Sequence, residues 1–231
     1  MTFLKTVLSY KGYACTLLAV AMFSGCITSK KLDRFIAGQY GNELPKLSKT
    51  RYDNISVTAS LPYNATGLSN TVVKYSHLLP LLFYWQIKRQ NICTMNPAIF
   101  VNKFTNTISL EARRWIGPKL GNEKLNLTVE QLPNIFTIDD KGHMIWVVLY
   151  AFGWDKMSVR PQLADLVVSY KLSDGDHIVK TGEVSVPDAQ QGVGIKMLES
   201  WKTATSEFVS GYNYEIAKMS RSCMQELAKE L

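Results

Sequence analysis

The sequence lacks the short motifs that mark the common catalytic and cofactor sites. It contains no Gly-x-Ser-x-Gly nucleophile motif, no phosphate-binding loop and no dinucleotide fingerprint. Gly192-Val193-Gly194 comes nearest to a phosphate loop, but the third glycine and the preceding strand–helix–strand unit are missing. Internal repeats and low-complexity runs are absent as well. We therefore predict a protein that is not an enzyme and that needs no cofactor.

Histidine is scarce, and the three histidines, His77, His143 and His177, are far apart. None has a second histidine two or four positions away, so a metal site would have to be assembled from distant segments. We expect all three near strand edges or turns. Residues 139–142 and 173–176 combine Asp with Gly, which favours turns, and neither segment has the spacing of an EF-hand loop. The sequence therefore predicts no metal site.

Cysteine is also rare, with four residues in the chain. Cys15 and Cys26 lie in or beside an apolar N-terminal stretch, which leaves Cys93 and Cys223 for the remainder. Neither belongs to a Cys-x-x-Cys pair, which argues against zinc binding and thioredoxin-like chemistry. A disulfide between them would close a loop of about 130 residues and could stabilise the fold by about 3–5 kcal/mol. Two separate buried thiols are the alternative, and the sequence leaves both open.

Acidic residues are absent from residues 1–25, which carry Lys5 and Lys11 before an apolar core at 13–23. This core is shorter than the roughly 20 residues that a membrane-spanning helix needs. The segment ends in Phe23-Ser24-Gly25-Cys26. We predict a cleaved signal peptide over residues 1–25.

The four residues at this junction resemble the lipobox of bacterial lipoproteins, although Phe23 stands where leucine is usual. The resemblance implies a diacylglyceryl group, with acyl chains such as palmitate, on Cys26, and a mature chain tethered to the membrane by its lipids. Ile27 takes the place of the aspartate that retains enterobacterial lipoproteins in the inner membrane. We therefore expect an outer-membrane lipoprotein that faces the periplasm.

The rest of the chain divides into a lipid-anchored tether over 26–50 and one domain over 51–231. Loss of Lys5 and Lys11 with the signal peptide would lower the formal net charge from +7 to +5. This excess is mild and spread along the sequence, whereas nucleic-acid binders concentrate it on one face. We expect a membrane contact through Cys26, an envelope protein as partner and no nucleic acid.

Alternating apolar residues predict a strand at 54–61 and another at 71–76 that runs into the apolar stretch 78–87. Pro80 indicates that a strand begins or breaks there. The apolar stretch is interpreted either as a central strand or strand pair buried on both faces, or as an exposed patch that meets a membrane or a partner. The candidate contact residues are Phe83, Tyr84, Trp85 and, at the end of a later apolar strand, Trp154. Trp154 suits a loop-tip contact and a lid over the core equally.

Two long helices are predicted. Asn96 and Pro97 suit the N-cap and first position of the first helix, and Gly117 with Pro118 suits its end. The second helix runs from about residue 194 to the C-terminus, with a break or bend at Ser210 and Gly211. Each has one apolar face; the apolar positions are Phe100, Phe104, Ile108, Ala112 and Trp115 in the first, and Met197, Trp201, Phe208, Tyr212, Ile216, Met219, Cys223 and Leu227 in the second.

Between the helices we expect a strand at 125–129 with an extension past Pro133 at 135–138, a turn at 139–142, a central strand at 144–152, and a hairpin of 166–172 with 178–186. Strands, helix, strands and helix in this order predict an α+β fold. In it a mostly antiparallel sheet carries two main helices on one face.

This order behind a lipidated cysteine resembles the lipopolysaccharide-assembly lipoprotein that plugs its outer-membrane barrel, and the auxiliary lipoproteins of lipid-transporting ABC systems. The resemblance implies a non-enzymatic accessory subunit of an envelope assembly or transport complex. One alternative is a lipoprotein that binds a lipid or small ligand between the helices and the sheet, where Phe100, Phe104, Trp201 and Phe208 would otherwise pack. An envelope hydrolase is the second alternative.

Overall fold

The computed structural model of the chain describes residues 29–40, 54–61, 67–79, 82–147, 150–195 and 199–231. Within these ranges, four helices and nine strands follow one another. In chain order they are α1 (Ser29–Gln39), β1 (Ile55–Ala59), β2 (Gly67–Leu79), β3 (Leu82–Thr94), α2 (Pro97–Trp115), α3 (Gly117–Leu120), β4 (Lys124–Gln131), β5 (Ile135–Val147), β6 (Tyr150–Pro161), β7 (Leu166–Asp174), β8 (His177–Val186), β9 (Val193–Gly194) and α4 (Trp201–Glu230). The expected α+β class is confirmed.

The strands form two sheets and not the one sheet that was predicted. A four-stranded sheet has the order β1-β4-β7-β8, and a five-stranded sheet has the order β2-β3-β5-β6-β9. All strand pairs are antiparallel except β1 with β4, which is parallel. The chain changes sheet between β4 and β5, where Pro133 cannot donate to a strand ladder. Asn134 fixes the start of β5 there, because its side-chain amide donates to the Met95 carbonyl over 3.0 Å.

The core lies between the helices and one face of each sheet. On β4, Leu125, Leu127 and Val129 are buried and their neighbours are largely exposed, as a strand with one covered face requires. In the second sheet Phe136 of β5 packs on Phe208 of α4, with ring centroids 5.0 Å apart. Helix α4 therefore packs against both sheets.

Helix α2 begins and ends close to where the sequence predicts. The Asn96 side chain accepts a hydrogen bond from the Ala98 amide over 2.9 Å, and Pro97 occupies the first turn, where no amide donor is needed. Gly117 and Pro118 end α2 as expected and then form the short helix α3.

Helix α4 differs from its prediction at both its start and its middle. It begins at Trp201, after Ser200 as N-cap, because Val193 and Gly194 pair with β6 as strand β9. Ser210 and Gly211 do not interrupt it, and the helix is continuous over 30 residues. Packing of its buried face stabilises the helix through this weak position.

Helix α1 lies within the segment that the sequence assigns to the tether. Leu32 and Ile36 are 0% and 2% exposed and belong to the core. Two side chains at its end, Gln39 and Tyr40, hydrogen-bond to Ser206 and Asn213 of α4. Residues 26–28 and 41–50 of the predicted tether lie outside the described residues.

Strand β5 overturns two predictions. Residues 139–142 form no turn but lie in the middle of β5, paired with both β3 and β6. Asp139 is 1% exposed there and forms an ion pair with Arg160 of β6, which replaces part of its lost hydration. The predicted central strand 144–152 is in fact the end of β5 followed by the start of β6.

Candidate functional site

The free end of the five-stranded sheet is the strongest candidate site in the described part of the chain. The β2–β3 and β5–β6 connections meet at this end, because Leu79, Leu82, Val147 and Tyr150 share one register position across the four strands. The opposite end of the same strands carries the buried residues that pack on α4. The two hairpins therefore extend the sheet away from the core.

Large apolar side chains are concentrated at this end. We call the following group the aromatic tip: Phe83, Tyr84, Trp85, Ile145, Trp146, Val147, Tyr150, Phe152 and Trp154. Five of the ten large hydrophobic side chains that are exposed in the described residues belong to it. Tyr150 is 69% exposed, Phe152 61%, and Trp146 and Trp154 48% each. Scattered exposed apolar residues are normal, whereas a contiguous apolar patch marks an interaction surface.

One face of the tip carries an ordered aromatic cluster. Directly opposed residues of antiparallel strands share a face, so His143 and Trp154 lie side by side. Their rings stack with centroids 5.1 Å apart and planes 6° apart. The Tyr84 hydroxyl and His143 Nδ1 share a hydrogen bond of 2.7 Å. These contacts hold the rings in fixed positions on the sheet surface.

Below this cluster on the same face, three lysines occupy one register position. Lys88, Lys141 and Lys156 lie directly opposite one another on β3, β5 and β6. We call them the lysine row. Like charges in directly opposed positions destabilise a sheet. No ion pair joins any of the three to an acidic side chain among the described residues.

The other face of the tip contains an open cavity of about 640 Å³. Gly142 and Gly153 contribute no side chains to the sheet surface there, and Trp85 and Met144 form apolar walls. The remaining lining includes an ion pair between Arg89 and Asp140, with 3.7 Å between nitrogen and oxygen. This cavity is broad and mostly apolar, with charge at its lower edge.

The structure brings together all four residues that the sequence singled out for contact. Phe83, Tyr84 and Trp85 lie on β3, half-buried among their neighbours, and not buried on both faces as one alternative required. Trp154 lies within β6 and stacks on His143, so it is neither at a loop tip nor a lid over the core. His143 is likewise in mid-strand and not at a strand edge or turn.

The rest of the tip was not predicted, because residues 144–152 were interpreted as one central strand. Trp146, Tyr150 and Phe152 are exposed at a hairpin instead. An unbroken apolar run of nine residues is longer than the usual strand of about five or six. That length was the available signal that the chain turns within it.

No disulfide joins Cys93 to Cys223. Cys93 is buried on β3 and Cys223 is buried on α4, each among core side chains, so the alternative of two separate buried thiols is the correct one. Burial raises the pKa of the Cys223 thiol to about 12, which suppresses the reactive thiolate. Cys26 lies outside the described residues, and its lipidation stays a prediction.

Two further properties of the described residues bear on the site. No three or more His, Cys, Asp or Glu side chains come together there in a way that could hold a metal ion. None of the helices in the described ranges is long and apolar enough to cross a membrane. No protein family, curated protein or solved structure matches this chain.

Proposed function

We propose that the protein is a non-enzymatic, lipid-anchored lipoprotein that serves as an accessory subunit of an envelope assembly or transport complex, and that it docks through the aromatic tip on another component of the bacterial envelope. The exposed tip is the observation that carries the proposal. Tyr150 and Phe152 are each more than 60% exposed near the end of the β5–β6 hairpin, where both residues are paired with β5. Rigid exposed aromatics contribute large contact area at low cost in conformational entropy.

The anchor completes the proposal and rests on the sequence at Cys26. An N-terminal lipid would hold the chain at the membrane, with the outer membrane and the periplasm as the expected location. The anchor itself would then not need the apolar surface of the tip. That surface is available for a second contact, which is the arrangement that an accessory subunit requires.

One observation opposes the ligand-binding alternative and another supports it. The space that it needed between helices and sheet is filled, because Phe100, Phe104 and Phe208 are at most 1% exposed. The cavity beside Trp85 and Met144 is large enough for part of an acyl chain, but it opens on the tip itself. Detection of a bound lipid in the purified protein by mass spectrometry would support this alternative; lipid-free protein would count against it.

Site-specific cross-linking in cells tests the proposal. We would replace Phe152 with the photo-reactive residue p-benzoylphenylalanine in the full chain. A second variant with the same residue in place of Tyr214 is the matched control. Tyr214 is 68% exposed on α4, so the two positions present an aromatic side chain of similar exposure. We expect one dominant cross-linked species from position 152 and none from position 214.

The intact mass of the mature protein provides the second readout, because a lipid on Cys26 adds a diacylglyceryl group and acyl chains. Cys26→Ala should remove that mass and release the protein from the membrane fraction. An unmodified Cys26, or equal cross-linking from positions 152 and 214, would contradict the proposal.

A further inference from the structure

The two faces of the extended sheet differ in how their chemistry changes along the strands. Moving down from the tip on the face of the lysine row, the first two rows are apolar and aromatic and the third contains Gln86, His143 and Trp154. The fourth row is Lys88, Lys141 and Lys156. Along this face the side chains thus change from apolar to mixed aromatic and polar, and then to basic. This order matches the layers of an anionic bilayer, which change from acyl chains through the boundary region to negatively charged headgroups.

We infer that the aromatic tip inserts into the surface of an anionic lipid bilayer, with the lysine row at the level of the lipid phosphates. This inference rests on the proposed function, since it names the component on which the tip docks. Three lysines in one row, which form no ion pair within the described ranges, tolerate their mutual repulsion most easily when several negative charges face them. A bilayer that contains acidic phospholipid carries negative charges over its whole surface. The lysine row would therefore meet such charges however the sheet is rotated about the bilayer normal.

The dimensions fit a shallow insertion. Each lysine of the row lies six positions along its strand from the terminal register position of Leu82, Val147 and Tyr150. At about 3.3 Å per residue this is about 20 Å along the strands. A sheet inclined by about 45° would span about 14 Å in depth, of which the headgroup layer takes about 6 Å. The tip would then enter the acyl region by about 8 Å, within the range of interfacial helices.

The sheet edges explain why the insertion is shallow. Strand β9 pairs with β6 only at Ser158 and Val159, so the outer edge of β6 has no strand partner nearer the tip among the described residues. Unpaired backbone groups are costly in the acyl region, where no water can bind them. Lysine stems can extend toward the headgroups, and tryptophan suits the boundary layer, so both stabilise an inclined sheet without deeper entry.

Phospholipid capture by the lipidated full-length product tests this inference without a protein partner. We would purify the mature lipoprotein with p-benzoylphenylalanine at position 152 or 214 and reconstitute it in vesicles of phosphatidylcholine, alone or mixed with phosphatidylglycerol. Because the Cys26 lipid holds every variant on the vesicle, a difference in phospholipid adducts reports the position of the tip. Adducts are quantified by mass spectrometry of the cross-linked peptide.

We expect adducts at position 152 and few at 214, with a several-fold increase when phosphatidylglycerol is present. Combined replacement of Lys88, Lys141 and Lys156 by glutamine should abolish that increase, since one lysine at an anionic surface contributes about a fivefold change in partition. The matched control replaces Lys103, Lys124 and Lys171, which are exposed elsewhere, and should keep the increase.

Each other outcome counts against a distinct claim. Equal adducts in both vesicle types, or no effect of the lysine replacements, would overturn recognition of the anionic surface. Absence of lipid adducts at position 152, with a protein captured there in cells, would overturn the inference and leave the proposed function standing. An unmodified Cys26 would remove the proposed anchor; the unlipidated chain, added to the same vesicles, would then still decide the inference.

Discussion

Lys141 lies directly opposite Lys88 on the neighbouring strand, so two ammonium groups of like charge share one register position. Lys156 flanks Lys141 on its other side. We expect Lys141→Gln to raise the free energy of unfolding by about 0.2–1 kcal/mol, because it removes the shared charge from this row. Chemical denaturation at low ionic strength measures this gain in stability. Added salt should reduce the gain, because it screens the repulsion between the lysines of the natural chain.

Lys171→Gln is the matched control for this prediction. Lys171 also lies within a strand, but its cross-strand neighbours Asn126 and Thr181 are neutral. Its replacement should leave the stability nearly unchanged. Equal stabilisation by both variants would show that repulsion within the lysine row is not the cause. A gain in stability together with a loss of membrane contact for Lys141→Gln would mark the row as a functional feature.

The ring of Tyr170 lies against the backbone of Gly182 on the next strand. A Cβ atom added at Gly182 would come within 2.6 Å of the Tyr170 hydroxyl oxygen, and the same hydroxyl donates to Glu230 over 3.4 Å. Gly182→Ala should therefore displace the ring and destabilise the fold by about 1–3 kcal/mol. Thermal and denaturant unfolding measure the loss. Gly194→Ala is the control, since nothing lies within 4 Å of a Cβ there.

A double-mutant cycle identifies the cause of this loss. In a Tyr170→Leu background the alanine at position 182 should cost less, because the ring that it displaces is gone. An unchanged cost in that background would indicate a backbone effect instead of the contact with Tyr170.

Local sequence signals predicted those elements whose ends depend on local chemistry. Asn96 caps α2 as expected, and Gly175, with a φ of +56°, forms the turn of the predicted β7–β8 hairpin. The same reasoning failed for residues 139–142. Their turn-forming side chains are overridden by pairing with strands on both sides, and that pairing depends on register between distant segments.

The candidate site was predictable in its residue types and not in its arrangement. Phe83 and Trp154 stand out in the sequence as exposed-contact candidates, but 70 positions separate them. Only the register of β3, β5 and β6 places them at one end of one sheet. The lysine row has no sequence signal at all, because its three members come from three strands with different spacing along the chain.

Gly211 illustrates a residue that sequence analysis interprets as a helix break although the helix continues. It lies exposed within α4, and a Cβ there would have no atom within 4 Å. Gly211→Ala should stabilise the protein by about 0.5–1 kcal/mol, because alanine loses less backbone entropy than glycine on entering a helix. Denaturant unfolding checks the gain. The opposite sign is expected for Gly175→Ala, where φ is +56°; stabilisation of both variants would contradict this reasoning.

Asp188 should make the stability depend on pH through its burial. Burial raises the pKa of its carboxyl above the ordinary value of 3.8, partly offset by the hydrogen bond that it accepts from the Gln190 amide over 2.9 Å. The native state therefore holds this proton more tightly than the unfolded state does. Its contribution to stability is complete below the unfolded pKa and is lost as the pH rises through the higher native value.

Asp188→Asn removes this titration and keeps an oxygen that can accept from Gln190. We expect the variant to gain stability over the natural chain as the pH rises from about 3 towards neutrality, with the gain constant once the native carboxyl is ionised. Denaturant unfolding of both proteins across this range gives the difference between their free energies of unfolding. The values measured below pH 3.8 serve as the reference for this difference. A difference that is independent of pH would mean that burial of Asp188 does not oppose its ionisation. A gain that shrinks with rising pH would reverse the sign and show that hydrogen bonding to the carboxylate outweighs its desolvation.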